Sequence, residues 1–208
     1  TLVNNKFEMI KKASTDTESS INYLTNNNLK GNIGIGHTRW ATHGAKTDIN
    51  SHPHISNCEK FTLVHNGIIE NYKELQEFLE KNEYTMKSQT DTEVIVNLLS
   101  YYYKITQNIE SSIEKTIEKL EGTWGLVIMC VDEPNTLYVT RNGSPILIGN
   151  DNKNVIVTSE QSGFCNKMDN YIALNNHDIC VINYNSELNI TTNDTYILNK
   201  VLANNNKL

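Results

Sequence analysis

The feature that most limits what this chain can fold into is a change of hydrophobic period near residue 122. Between residues 71 and 121 apolar side chains recur every three to four positions. Tyr72, Leu75, Phe78 and Leu79 form one stripe, Val94, Ile95, Leu98, Leu99 and Tyr102 a second, and Ile113, Ile117 and Leu120 a third. That spacing predicts helices over 71–81, 91–103 and 111–121. After Gly122 the pattern becomes short apolar runs, predicting strands over 124–131, 136–140, 145–148, 155–158, 171–174, 178–182 and 188–191. Turn residues such as Asn142-Gly143 and Asn175-Asn176 separate them. Ahead of the helices, Asn4-Asn5 reads as the turn of a hairpin, and a short helix over 16–24 follows. A buried strand is expected over 32–40, where Gly34 and Gly36 alternate with Ile33 and Ile35. A further strand over 61–65 is expected to stop at Asn66-Gly67. Strands, then helices, then strands is an α+β order, pointing to two antiparallel sheets with helices outside them.

Composition narrows the function. The net charge is −6 and no basic block interrupts the chain, so nucleic acid is not an expected partner. No apolar stretch reaches membrane-spanning length, so no membrane partner is expected and a cytoplasmic protein is. Cys58, Cys130, Cys165 and Cys180 are scattered, which suits reduced thiols better than zinc or a disulfide framework. Cys130 and Cys180 lie in apolar runs and are expected in the core, Cys58 at the surface. About 30 asparagines, far above average usage, fall where surface loops are expected, as at 26–28 and 204–206.

Three clusters concentrate residues able to do chemistry. The first is His37-Thr38-Arg39-Trp40-Ala41-Thr42-His43-Gly44. Arg39 offers a planar fork suited to a carboxylate, and Trp40 can cover a small ligand. The same residues also suit a strand end held by a core tryptophan and an ion pair. The second is His65-Asn66-Gly67-Ile68-Ile69-Glu70-Asn71. Its Asn-Gly pair is either a plain turn or two donors aimed at one spot, as an oxyanion hole requires. The third is Thr90-Asp91-Thr92-Glu93, which either caps a helix or presents Asp91 to an ammonium group. Together, Arg39, Asp91 and the Asn66–Gly67 donors suit free glutamine undergoing amide hydrolysis. His52-Pro53-His54, with His43 nearby, raises the question of a metal. The two rings are expected to face opposite ways, which suits one ion poorly, and no metal is assigned.

These strings, with Ser51–His54 and Gly122–Leu126, occur in order and at spacings that resemble the glutaminase domain of the glutamine–fructose-6-phosphate aminotransferases. Arg141–Pro145 extends the likeness, which is strongest from about residue 32 to 145. The resemblance implies a four-layer αββα sandwich of the N-terminal-nucleophile hydrolase type. It implies hydrolysis of glutamine to glutamate and ammonia for glucosamine 6-phosphate synthesis, with no cofactor. Arg39 then binds the α-carboxylate, Asp91 the α-amine, and Asn66 and Gly67 the oxyanion. Trp40, Thr42 and His43 belong to a loop covering the glutamine. The expected partners are glutamine and the sugar isomerase domain of the parent chain, which takes fructose 6-phosphate and can carry a homo-oligomeric contact.

In that family a cysteine begins the mature chain and attacks the glutamine carbonyl, with its own α-amine as base. Here the first residue is Thr1. The expectation is therefore a glutaminase domain over 1–200 lacking its first strand and helix, inactive by itself, with 201–208 as a tail or the start of a linker. Thr1 is set aside as a nucleophile because 2–5 reads as a hairpin arm. The competing expectation is a module that binds glutamine, or a partner subunit, without catalysis.

Overall fold

The computed structural model describes residues 1–14, 16–27, 29–39, 44–151, 153–184, 188–192 and 195–201, without the side chains of residues 17 and 188–190. The expected site residues Trp40, Thr42 and His43, and the asparagine run at 204–206, lie outside the described residues.

The chain opens with a hairpin of β1 (Leu2–Val3) and β2 (Lys6–Phe7), turned at Asn4 and Asn5 with φ of 49° and 57°. Asparagine tolerates that left-handed region better than most residues. Helix α1 (Thr17–Asn26) starts where the Asp16 side chain accepts the Ser19 N–H. There follow β3 (His54–Ile55), β4 (Phe61–Ile69), α2 (Tyr72–Lys81), α3 (Asp91–Thr106) and α4 (Ile109–Ile117). The second half carries β5 (Gly122–Cys130), β6 (Thr136–Asn142), β7 (Leu147–Asn150) and β8 (Val155–Thr158). A 3₁₀ turn (Gln161–Phe164) leads to β9 (Asn170–Ala173), β10 (Ile179–Tyr184), β11 (Leu188–Thr191) and β12 (Asn199–Lys200).

The strands form two larger antiparallel sheets. One runs β11-β10-β6-β5-β4-β3, the other β12-β9-β7-β8. Alternation along the strands gives the first sheet two apolar faces. Leu126, Ile128 and Tyr138 face the helices and meet Leu79, Val94, Ile95, Leu98, Leu99 and Ile113. Val139, Cys180 and Ile182 face the other way and pack with Ile146, Ile148 and Leu174. Helices, sheet and sheet therefore stack as three successive layers, α–β–β, of the four-layer αββα sandwich expected. At about 1.5–3 kcal/mol per fully buried Leu, Ile or Phe side chain, the helix-facing core is the larger stabilising unit. Cys130 and Cys180 are buried and Cys58 exposed, as expected.

Two expectations fail. Residues 32–39 do not form a strand: among the described residues they have no ladder partners, and they are exposed or half-buried. The alternation of Ile33 and Ile35 with Gly34 and Gly36 suits a strand, but among the described residues no neighbouring strand pairs with it. Conversely, β4 does not stop at Asn66-Gly67. It continues to Ile69, pairing Asn66 with Gly125, Gly67 with Trp124 and Ile69 with Gly122. The pair is a ladder position, made possible because Gly67 adopts φ 143°.

Candidate active site

The continuation of β4 brings its last residues to the start of α3. Thr90 caps that helix, its hydroxyl accepting the Glu93 N–H at 3.3 Å. Asp91, the first helical residue, is 4% exposed, and its Oδ2 accepts the Ile69 N–H at 2.9 Å. A carboxylate in the first turn of a helix is favoured by the helix dipole, and here it also bolts the helix start to the strand. Glu93 turns back and accepts the N–H groups of Lys87 and Ser88 at 2.9 and 2.5 Å, fixing the approach to the helix.

The third wall comes from the extended stretch before residue 40. The Arg39 guanidinium donates to the carbonyls of Ala45 and Gly44 at 3.3 and 3.4 Å. Asn50, 1% exposed, holds that segment to the helix approach. Its amide nitrogen donates to Ala45 O and Gln89 Oε1, and its oxygen accepts the Gln89 N–H at 2.9 Å. Gly44 has φ 78°, and a Cβ there would lie 2.8 Å from the Asn50 amide nitrogen, so this crossing needs glycine.

Between these walls lies a cavity of about 360 Å³, within the range of small-molecule sites. Residues 37–39, 65–68 and 90–92 line it, with His52 and Thr123. Arg39, Asn66, Gly67 and Asp91 thus all face one space, although up to 52 positions separate them in sequence. Partial burial lowers the Arg39 pKa, and the negative charge of Asp91 acts in the opposite sense. Thr1 is not among the lining residues, and neither is any cysteine.

Sequence reasoning missed what lies beside the cavity, a layer of histidines. His37 stacks on His52 with ring centroids 4.3 Å apart, and His52 meets His54 edge-on at 5.1 Å. His52 and His54 therefore do not face opposite ways. Residues two apart in an extended chain share a side, so the two rings lie in one layer. His54 Nε2 faces the Thr90 hydroxyl at 3.1 Å. His65 lies with Nδ1 3.2 Å from the Thr92 hydroxyl and Nε2 3.2 Å from the Thr123 carbonyl. Burial and the neighbouring positive charges push His37 down to about 4 and His54 to about 3, and His52 is lowered too. All three are neutral near pH 7. The available signal was composition: five of the six histidines fall between residues 37 and 65. Among the described residues no group of three His, Cys, Asp or Glu side chains is arranged to hold a metal.

Comparison with known proteins sets this geometry in a family. Residues 37–166 match the glutamine amidotransferase domain. The chain is 45% identical over 137 residues to the glutamine–fructose-6-phosphate aminotransferase (isomerizing) of Clostridium perfringens, covering 66% of this chain and 22% of that protein. It is 40% identical over 204 residues to the probable glutamine–fructose-6-phosphate aminotransferase of Acanthamoeba polyphaga mimivirus, covering 95% of this chain and 32% of that one. The chain thus spans between about a fifth and a third of the length of these relatives. Among solved structures, a glutamine phosphoribosylpyrophosphate amidotransferase from B. subtilis, complexed with ADP and GMP, is similar with a TM-score of 0.59. At 23% identity, it covers 74% of this chain and 33% of its own. That likeness shows the fold alone, two stacked antiparallel sheets with helices packed outside the larger one.

Proposed function

The chain belongs to the glutamine amidotransferase domain family, and from that premise we propose that it is the glutamine-hydrolysing part of a glutamine–fructose-6-phosphate aminotransferase. The observation that carries this reading is a single cavity lined by Arg39, Asp91, Asn66 and Gly67. A planar cation and a carboxylate suit the two charges of a free amino acid. The donors of Asn66 and Gly67 suit a carbonyl at the far end of its side chain.

In this reading the Arg39 fork takes the α-carboxylate and Asp91 the α-ammonium of glutamine. Trp40, Thr42 and His43 cover the bound glutamine. The family likeness implies a cysteine thiolate, from the head of the mature parent chain, as the nucleophile. Its sulfur bonds to the side-chain carbonyl carbon, and the carbonyl electrons move onto oxygen. The Asn66 side-chain amide and the Gly67 N–H donate to that oxyanion, which lowers the barrier because the donors are fixed before charge develops. The C–N bond then breaks, the nitrogen takes a proton and leaves as ammonia, and water cleaves the thioester to release glutamate. Ammonia passes to the sugar isomerase domain of the parent chain for transfer to fructose 6-phosphate. The setting is the cytoplasm.

The test uses the protein at its natural length. N-terminal sequencing and intact mass establish whether a cysteine heads the mature chain, and glutamate production from glutamine is then measured. Asp91→Asn is expected to raise KM for glutamine far more than it lowers kcat. A mature protein beginning at Thr1 that forms no glutamate would overturn the catalytic reading.

A further inference from the structure

The segments Gly122–Leu126 and Arg141–Pro145 contribute none of the groups assigned to glutamine. They meet at Thr123. This residue lines the cavity from β5 and stands opposite Ile68 in the ladder with β4. Its hydroxyl accepts the Ile68 N–H at 3.3 Å. Its carbonyl oxygen, an acceptor only, lies 3.2 Å from His65 Nε2. The two contacts fall on either side of Gly67, whose N–H is an oxyanion donor in the amidotransferase reading.

Glycine has no side chain to limit its rotation, and Gly67 adopts φ 143°. Its orientation is therefore set by what holds its neighbours. The Ile68 N–H belongs to the Gly67–Ile68 peptide, so a bond to it restrains rotation about the Cα–C bond of Gly67. On the other edge of β4 the His65 N–H donates to His52 Nδ1 at 3.3 Å and the Ile69 N–H to Asp91 Oδ2 at 2.9 Å.

Thr123 is itself held from behind. Gly143, in the second segment, has φ 75°, and a Cβ there would lie 2.7 Å from Thr123 Cγ2, so the threonine methyl rests where a side chain would otherwise stand. The turn that carries Gly143 is tied down at several points. The Gly143 N–H donates to Asn176 Oδ1 at 3.1 Å, and its carbonyl accepts from Arg141 Nη2 at 3.1 Å. Asn142 Nδ2 donates to the Gly122 carbonyl at 2.9 Å. A continuous line of contacts thus runs from the 141–143 turn through Thr123 to Gly67.

We propose that Thr123 is a positioning residue of the oxyanion end: its hydroxyl holds the Gly67–Ile68 peptide, the 141–143 turn braces its methyl, and the Gly67 donor is thereby fixed before charge develops. The oxyanion rests on the amidotransferase reading above, whereas the brace does not. A donor already in place costs no reorganisation when the carbonyl oxygen becomes charged. Losing the brace weakens an interaction made in the transition state, so it lowers kcat and leaves glutamine binding by Arg39 and Asp91 in place.

The experiment measures glutamate production by the full-length parent protein. Thr123→Val keeps the shape and removes the hydroxyl. It is expected to lower kcat about fivefold, as for loss of one hydrogen bond, while KM for glutamine changes by less than about twofold. Thr123→Ser is expected to restore kcat. A folded Thr123→Val protein with unchanged kcat, or with KM raised and kcat kept, overturns the proposal. Thr123→Ala removes the hydroxyl without adding volume and gives the same readout should the valine variant not fold. Hydrogen exchange tests the brace without activity. The Ile68 amide proton is expected to exchange about tenfold faster in Thr123→Val, with residues 61–64 unchanged. Unchanged exchange at Ile68 overturns the brace. A parent protein that makes no glutamate defeats the amidotransferase reading alone, and the Ile68 exchange still upholds or overturns the brace.

Discussion

Replacing Gly67 by alanine isolates the link between the central sheet and the cavity. Gly67 has φ 143°, outside the regions that L side chains readily adopt. An added Cβ would lie 2.2 Å from the Thr123 carbonyl oxygen and 2.7 Å from its carbon. Both are backbone atoms of β5, which is hydrogen-bonded to β4 on one side and β6 on the other, so neither can step aside alone. Backbone strain costs about 1–3 kcal/mol, and forcing atoms into a packed position costs about 1–3 kcal/mol more. The narrower unfolded ensemble of alanine offsets about 0.4–1 kcal/mol. The net loss is about 1–5.5 kcal/mol, which for a domain of this size lowers Tm by roughly 2–20 °C. Gly36 provides the control: nothing lies within 4 Å of its added Cβ, and its φ is not left-handed. Gly36→Ala is expected to hold Tm or raise it slightly. Thermal unfolding of the two variants, followed by circular dichroism, reads the difference directly. If they melt within about 2 °C of each other, the clash with Thr123 does not govern this position.

Three further outcomes follow from the same geometry. Asp91→Asn keeps an oxygen for the Ile69 N–H and loses the charge, so glutamine KM should rise about tenfold to a hundredfold while Tm changes little, checked by steady-state kinetics and melting. Asn50→Ala removes the bonds to Ala45 and Gln89 at a nearly fully buried position, and should cost about 2–4 kcal/mol in urea unfolding. Acid should destabilise the domain through its buried histidines. Their folded pKa values lie below the ordinary 6.5, so between pH 6.5 and about 4 the unfolded chain binds protons that the folded chain refuses. Stability is then full above pH 6.5 and falls as pH drops, by about 1.4 kcal/mol per pH unit for each histidine; a urea midpoint that stays flat from pH 7 to 5 would contradict this.

The helices and most strands were legible because their signals are local. Caps at Asp16, Thr90 and Asn108 accept N–H groups three residues on, and the apolar stripes face the core at the expected spacing except at Phe78, which is exposed. The errors fall where a distant partner decides. Asn66-Gly67 has the composition of a turn, but the Gly122–Gly125 stretch of β5, more than fifty residues later, pairs with it and draws the strand onward. Residues 32–39 have the alternation of a strand, but among the described residues no neighbouring strand takes them up. The candidate site was legible in part. Arg39, Asn66, Gly67 and Asp91 do line one cavity. The roles of His52, His65 and Thr92 were hidden, because a hydrogen bond between residues 27 or 40 positions apart leaves no periodic trace.

The unequal anchoring of the cavity walls has a consequence for motion. Residues 65–69 and 90–92 belong to a nine-residue strand and to a helix whose first ten residues are all buried. Residues 37–39 belong to a stretch with no ladder at all. Amide protons of β4 and of the interior of α3 should therefore exchange only through events near the global unfolding free energy, while those around Arg39 exchange through local opening. A ligand bridging Arg39 and Asp91 would fasten the soft wall to the stiff one, and its binding should appear mainly as slowed exchange on the Arg39 side.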